Sequence, residues 1–273
     1  MSKMGEIKLK LKKTPDFPLE AESITTNNFA GKTLAEIKKL PLYHSKELVT
    51  IGDFFSASGK GDDDPKNIKI IIDGDLSKVK RIGEMMNGGE IIINGNVGMH
   101  VANHMKSGKI TVNGNADDWA GAMLEGGELE INGDAGHYVG AAYRGYWQGM
   151  KNGIIKVKGK VGIESMLWAK SSKPANKWPT LYCGSASSFL GIHNHGATIV
   201  VEGDVDRCIG ADQSRGTIVI KGKINRILPS FKKMGEVNEI ELPNGDKITG
   251  KFVEYSGDHS VSKETAGRLY VAI

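Results

Sequence analysis

Apolar residues recur in pairs two positions apart, each pair placed just before a glycine. The pairs are Ile70/Ile72, Ile91/Ile93, Ile110/Val112, Leu129/Ile131, Ile155/Val157, Ile199/Val201 and Ile218/Ile220. The glycines are Gly74, Gly95, Gly114, Gly133, Gly159, Gly203 and Gly222, separated by 21, 19, 19, 26, 44 and 19 residues. Alternation at period two predicts strands, and the β-branched side chains suit a pleated, half-buried surface. Two residues after each glycine the apolar pattern returns at Leu76, Val97, Ala116, Ala135, Val161, Val205 and Ile224. A third apolar position follows at Ile82, Val101, Ala120, Val139 and Ile209. A fixed period of this length is the signature of a solenoid. The expected class is therefore all-β, a right-handed parallel β-helix of about seven 19-residue coils with irregular N- and C-terminal caps. Coils stacked about 4.8 Å apart would make a prism on the order of 30 Å long.

Further glycines punctuate the coils: Gly83, Gly121, Gly140 and Gly210, and a set ahead of the strands that includes Gly89, Gly108 and Gly127. Glycine reaches φ > 0 without steric cost, so tight corners recruit it. On this reading Gly114→Val damages folding, because a corner rejects a β-branched residue. The spacing Gly133–Gly136–Gly140 resembles a phosphate-binding loop only superficially, since no helical pattern follows it. The domain boundaries follow from the repeat: residues 1–67 form an N-terminal cap, 68–224 the β-helix and 225–273 a C-terminal cap. In the first cap Thr33 and Glu36 fit a capping box and Pro41 stops the helix they start. In the last, Asn244-Gly245 reads as a hairpin turn. Solenoid ends expose strand edges, so covering them is the default role of both tails.

Two insertions interrupt the repeat. The first contains Tyr143-Arg144-Gly145-Tyr146-Trp147. The second lies between Val161 and Phe189 and carries Trp168, Lys173-Pro174, Trp178-Pro179 and Tyr182. Aromatics and arginine outside the ladders are the residue types of an interface hot spot. Insertions in solenoids also tend to form the binding surface. Tyr143, Arg144, Tyr146, Trp147, Trp168, Trp178 and Tyr182 are therefore the candidate subunit-interface residues. The competing reading is loops folded back onto the prism and packed by their own aromatics.

The remaining chemistry is sparse. The net charge of +4 is mild. Lys156, Lys158 and Lys160 are answered at the matching register by Glu202 and Asp204, which describes a solvated face rather than a nucleic-acid footprint. No apolar run approaches the roughly 20 residues that span a bilayer, and the N-terminus lacks a signal-peptide core. Cys183 and Cys208 suggest free thiols in a reducing cytosol. No nucleophile motif and no cysteine pair at metal-ligand spacing occurs. The best metal candidate, His193-Asn-His195 with His100, His104 and Cys208 as possible company, is more simply an exposed or interface histidine pair. His137 has no evident acid partner. Glu90, Lys109 and Glu128 head successive coils with alternating sign. They offer salt bridges rather than the paired carboxylates of a carbohydrate-active enzyme. No catalytic, metal-binding or cofactor-binding residue is assigned to the chain.

The ladder Ile131-Asn-Gly133-Asp-Ala135 with Ala120-Gly121-Ala-Met123-Leu-Glu-Gly126-Gly127 resembles the glycine-rich β-helix at the C-terminal end of the glutamate synthase large chain. A closer resemblance is to the C subunit of formylmethanofuran dehydrogenase. It is carried by Leu19-Glu-Ala21, Phe29-Ala-Gly31-Lys32, Gly52-Asp53-Phe54-Phe55 with Ser58-Gly59, and Tyr143-Arg144-Gly145 with Trp147-Gln-Gly149-Met150. The resemblance implies a cytoplasmic complex of methanogenic archaea that reduces CO2 and attaches it to methanofuran. Other subunits would hold a tungsten or molybdenum pterin, iron–sulfur clusters and a dinuclear zinc site. This chain would be a non-catalytic scaffold docked against them. The alternatives are the related subunit of a bacterial formyltransferase/hydrolase complex and a glutamate-synthase-like connecting domain. The latter would need a synthase portion, for which the sequence leaves no room after Ile273.

Overall fold

The structure, a computed structural model, describes residues 4–171, 178–260 and 263–273. Lys173 and Pro174 of the second insertion lie outside the described residues. The described residues are almost entirely strands and turns, with short helices confined to the first 67 positions.

The dominant feature is a ladder of parallel strands in which like residues pair across successive repeats. Ile70, Ile91, Ile110, Leu129 and Ile155 are consecutive partners. Ile72, Ile93, Val112, Ile131 and Val157 follow the same course two residues on. All these side chains are buried, at 0–3% exposure. Each fully buried aliphatic contributes about 1.5–3 kcal/mol relative to an exposed one, so the stacked column is the main source of stability. A register slip of one residue would turn the whole column outward, which fixes the pairing.

The ladder is longer than the glycine count implies. Three more strands join it, Gly5–Leu11, Thr180–Ala186 and Arg268–Ala272. Ile7 and Leu9 pair with Ile70 and Ile72, so a strand from the N-terminal segment opens the ladder. Leu181 and Cys183 pair with Ile155 and Val157, and Leu269 and Val271 with Ile218 and Ile220. The Thr180–Ala186 strand escapes the sequence rhythm because Gly184 follows Cys183 directly, without the intervening residue of the other copies. The register shift after Val157 records that missing residue. Much of the second insertion is thus an irregular repeat rather than a loop.

A second parallel line of bridges runs through Leu76, Val97, Ala116, Ala135, Val161, Ala186, Val205 and Ile224. It contains every residue expected at the position after the glycine, with Ala186 added. Side-chain ladders reinforce it from outside. Asn94 donates to Asp73 at 2.7 Å, Asn113 to Asn94 at 2.9 Å and Asn132 to Asn113 at 2.7 Å. The alternating charges expected on the outer face form ion pairs, among them Lys69–Glu90, Lys109–Glu128, Lys156–Glu128 and Lys221–Glu202.

Glycines stack along the ladder because the backbones touch there. A Cβ on Gly114 would lie 2.6 Å from the carbonyl of Gly95. Gly114 is not among the glycines with positive φ. Close approach, not backbone conformation, therefore requires the residue.

The two tails cover the ends. Phe55–Lys60 pairs antiparallel with the first ladder strand. The Thr33/Glu36 capping box is present: the Thr33 N–H donates to Glu36 at 2.8 Å, and the Glu36 N–H to the Thr33 hydroxyl at 3.3 Å. At the other end a hairpin of Lys232–Glu241 and Lys247–Ser256 turns through Asn244-Gly245 and continues the sheet beyond Arg268–Ala272. Its Ile240, Leu242 and Phe252 bury the outward-facing Val200 and Val219 in a second apolar cluster.

Candidate functional site

The most distinctive surface grows from a turn that recurs from repeat to repeat. Glycines such as Gly83, Gly121, Gly140, Gly191 and Gly210 occupy its centre with φ near +65 to +77°. Ala102 and Met166 take the central place in two further copies, and residues two before and two after these centres also adopt left-handed backbone, although they are not glycine. They include Arg81, His100, Trp119, Tyr138, Glu164, Phe189 and Cys208 on one side, and Met85, His104, Met123, Trp168, His193 and Asp212 on the other. Non-glycine residues rarely hold this conformation, and stacking over-determines it here. The N–H groups of His100, Trp119 and Tyr138 bond forward to the next repeat, while those of Ala102, Gly121 and Gly140 bond back to the previous one. The central residues point into the core, as Ala102 and Met166 do at 0% exposure. Most of the flanking residues are half-buried, with Met123 buried and Met85 exposed, and the aromatic ones stack on one another along the outside of the molecule.

Two clusters stand on this turn face. In the first, Trp119 stacks on Tyr138 at 4.3 Å and 12°, and on His100 at 6.3 Å. The first insertion lays Tyr143 against Trp119 at 4.9 Å. The Tyr143 hydroxyl reaches His100 Nδ1 at 2.8 Å and Asn103 Oδ1 at 2.9 Å. Asn103 donates to Glu84 at 2.9 Å, Arg81 bonds Glu84 at 2.8 Å, and Arg81 also pairs with Glu20 at 2.9 Å. Burial pushes the Tyr143 phenol up to about 12. Burial, with Arg81 and Lys80 nearby, lowers the pKa of His100, and burial lowers that of His104. Protonation of these rings is disfavoured because a new charge would be poorly solvated.

In the second cluster Trp168 stacks on His193 at 4.1 Å and 8°, and on His195 at 5.2 Å. His193 bonds through Nδ1 to Asp212, and His195 Nδ1 lies 2.5 Å from the Ser214 hydroxyl. Both partners sit 19 residues on, at the same place in the next repeat. Lys170 lies 4.2 Å above the ring of Trp147 and so links this cluster to the first insertion.

Tyr143, Trp147 and Trp168 therefore belong to one connected surface. Arg144, Tyr146 and Trp147 are exposed on it, Tyr146 by 62% and Trp147 by 59%. Trp178 and Tyr182 sit elsewhere. They line a cleft of about 460 Å³ with Asn152 and the hairpin tip at Pro243 and Asn244. Tyr182 lies on a ladder strand and packs against the apolar cluster under the C-terminal hairpin.

The histidines considered as a metal set divide between the clusters: His100 and His104 adjoin Tyr143, while His193 and His195 adjoin Trp168. Among the described residues no group of three or more His, Cys, Asp or Glu side chains is arranged to hold a metal ion. Cys183 is buried in the ladder, where burial lifts its thiol to about 12, and both cysteines are free. Trp119 and Tyr138 are absent from the interface candidates because they lie in regular repeats. Their signal is their position, two residues before Gly121 and Gly140.

No protein-family model matches the chain. The C subunit of the tungsten-containing formylmethanofuran dehydrogenase 2 of Methanothermobacter thermautotrophicus is 44% identical over 270 residues, covering 99% of this chain and 97% of the relative. The protein of the same description from Methanococcus maripaludis is 38% identical, again over 99% and 97%. The C subunit of a molybdenum-containing formylmethanofuran dehydrogenase 1 from Methanosarcina barkeri is 42% identical over 98 residues, 36% of this chain and 33% of the relative. Among solved structures, a chain of the formyltransferase/hydrolase complex FhcABCD from Methylorubrum extorquens, determined with methylofuran, aligns with a TM-score of 0.84. Its identity is 25%, covering 97% of this chain and 99% of the other. Among the described residues, no helix is long and apolar enough to cross a membrane.

Proposed function

The chain belongs to the family of formylmethanofuran dehydrogenase C subunits, and on that premise we propose that it is the non-catalytic scaffold of such a complex. The complex reduces CO2 and attaches it to methanofuran as the formyl group. The carrying observation is identity of 44% that extends over nearly the whole of both chains. A scaffold must be stiff and must present a surface. Stiffness is supported by a ladder of strands each paired with its neighbours, and we read that ladder as one side of the right-handed parallel β-helix that the period suggests. The surface is the turn face, where Tyr143, Arg144, Tyr146, Trp147 and Trp168 offer aromatic and cationic contacts of the kind that dominate interfaces.

The tungsten or molybdenum centre named in the relatives is assigned to other subunits, as are iron–sulfur clusters and a dinuclear zinc site. The donor set here supports that assignment: the turn-face histidines are divided between two separate clusters, and carboxylates of the outer face are engaged in ion pairs. The complex is assigned to the cytoplasm. The archaeal dehydrogenase is preferred over the bacterial formyltransferase/hydrolase complex because identity is higher with the former. Isolation of the native assembly with metal analysis tests the choice. Tungsten or molybdenum together with iron in the assembly supports the dehydrogenase. An assembly with neither overturns it.

A further inference from the structure

The hydrogen-bond network under the turn face fixes which nitrogen of His100 carries its proton. Both carboxylate oxygens of Glu84 accept from Arg81, and the amide nitrogen of Asn103 donates to one of them. The Asn103 carbonyl then faces the Tyr143 hydroxyl at 2.9 Å and receives its single proton. The phenol oxygen has no second proton to give, so at 2.8 Å it accepts from His100 Nδ1–H. Neutral His100 is thereby the Nδ1–H tautomer, with a lone pair on Nε2.

Neutral His193 is the same tautomer, by a shorter route. Its Nδ1 meets the carboxylate of Asp212, which only accepts, so Nδ1 carries the proton. An N–H bound to a fixed acceptor orients an imidazole and leaves its far nitrogen basic. His137 is wired the opposite way, its Nδ1 accepting the Ile163 N–H at 2.9 Å. The two tautomers are therefore specific to their positions and not a general habit of the fold. Among the described residues neither His100 Nε2 nor His193 Nε2 has a hydrogen-bond partner, and neither is a buried unsatisfied atom. Both rings are clamped by aromatic stacking, on Trp119 and on Trp168. The first insertion connects them, touching His100 through Tyr143 and the Trp168 side through Trp147 and Lys170.

We propose that the turn face docks a polypeptide partner through two preset hydrogen-bond acceptors, Nε2 of His100 and Nε2 of His193, which receive N–H or O–H donors of that partner. This rests on the reading of the chain as part of a complex and adds which chemistry the surface selects. A donor finds the acceptor oriented, so little ordering is needed on contact. A carbonyl or carboxylate oxygen placed directly opposite either Nε2 would meet a lone pair, so a docking pose with that register is disfavoured.

Two measurements test it. Long-range nitrogen–proton correlation spectra of the full chain labelled with nitrogen-15 histidine, recorded at pH 8, should place protons on Nδ1 and lone pairs on Nε2 in both rings. A proton on Nε2 in either ring overturns the proposal. In the tagged native complex, His100→Asn with His193→Asn keeps a donor near the Nδ1 position and removes both acceptors. Partner affinity should fall roughly thirtyfold, as for two lost hydrogen bonds. Unchanged affinity with a normally assembled unaltered chain overturns the docking role alone. Failure of the unaltered chain to bring any partner overturns the reading as a complex component as well.

Discussion

The Tyr143 hydroxyl lies 2.8 Å from Nδ1 of His100, a residue 43 positions earlier in the chain. That contact folds the first insertion onto the repeats and joins an aromatic loop to the regular turn face. A loop anchored in this way keeps its tip, Tyr146 and Trp147, at a fixed place on a rigid body. The relation also gives the insertion two roles, packing at its start and exposure at its end.

Removing the anchor should loosen the loop without unfolding the ladder. Tyr143→Phe deletes the bonds to His100 and Asn103. We expect a loss of about 1–2 kcal/mol in denaturant titration. Amide exchange should quicken around residues 143–150. An unchanged exchange pattern would contradict the anchoring role.

The glycine column should tolerate no side chain. Gly114→Val places a Cβ 2.6 Å from the Gly95 carbonyl and should cost about 3 kcal/mol or more. Gly235, which has nothing within 4 Å, should accept alanine within about 0.5 kcal/mol. Equal melting temperatures for the two variants would refute the close-approach explanation.

The asparagine ladder should be additive in small steps. Asn113 both donates to Asn94 and accepts from Asn132. Asn113→Ala should cost about 1 kcal/mol, since the groups are largely solvated and water replaces part of each bond. Thermal denaturation measures it, and a stabilised variant would show the ladder to be strained.

Mild acid should weaken the fold. His100, His104 and His195 have pKa values lowered mainly by burial. Below about pH 6.5 the unfolded chain therefore binds more protons than the folded one, and stability falls as pH drops. Urea midpoints should be lower at pH 5 than at pH 7.5. At the alkaline end Tyr143 acts with the opposite slope. Its folded value near 12 exceeds the unfolded 10, so its contribution is lost as pH rises through that window. Identical midpoints at pH 5 and pH 7.5 would mean that the rings protonate freely in place.

Much of the architecture was legible in the sequence because a strand ladder repeats its chemistry. Ile91, Ile110 and Leu129 declare one column, and Val97, Ala116 and Ala135 another. The Thr33/Glu36 capping box was equally local and equally readable. The terminal rungs were not, because Ile7/Leu9 and Leu269/Val271 carry no trailing glycine in the common register. Leu181/Cys183 was hidden by one missing residue. For the candidate site, exposed aromatics such as Trp147 stood out as composition. Tyr182 carried the same composition, yet its strand position sends it under the hairpin. The union of His100 with Tyr143 depends on a loop folding back across repeats, which periodicity does not encode.

The scaffold account is tested most directly by isolating the tagged chain with its partners, unaltered and as Arg144→Ala with Trp147→Ala. Both residues are exposed at the loop tip, so the variant should keep the melting temperature of the unaltered chain. The account predicts that the unaltered chain brings the other dehydrogenase subunits and that the variant retains markedly less of them. Full retention by the variant would contradict docking through this face, and a chain that isolates alone would contradict the scaffold role.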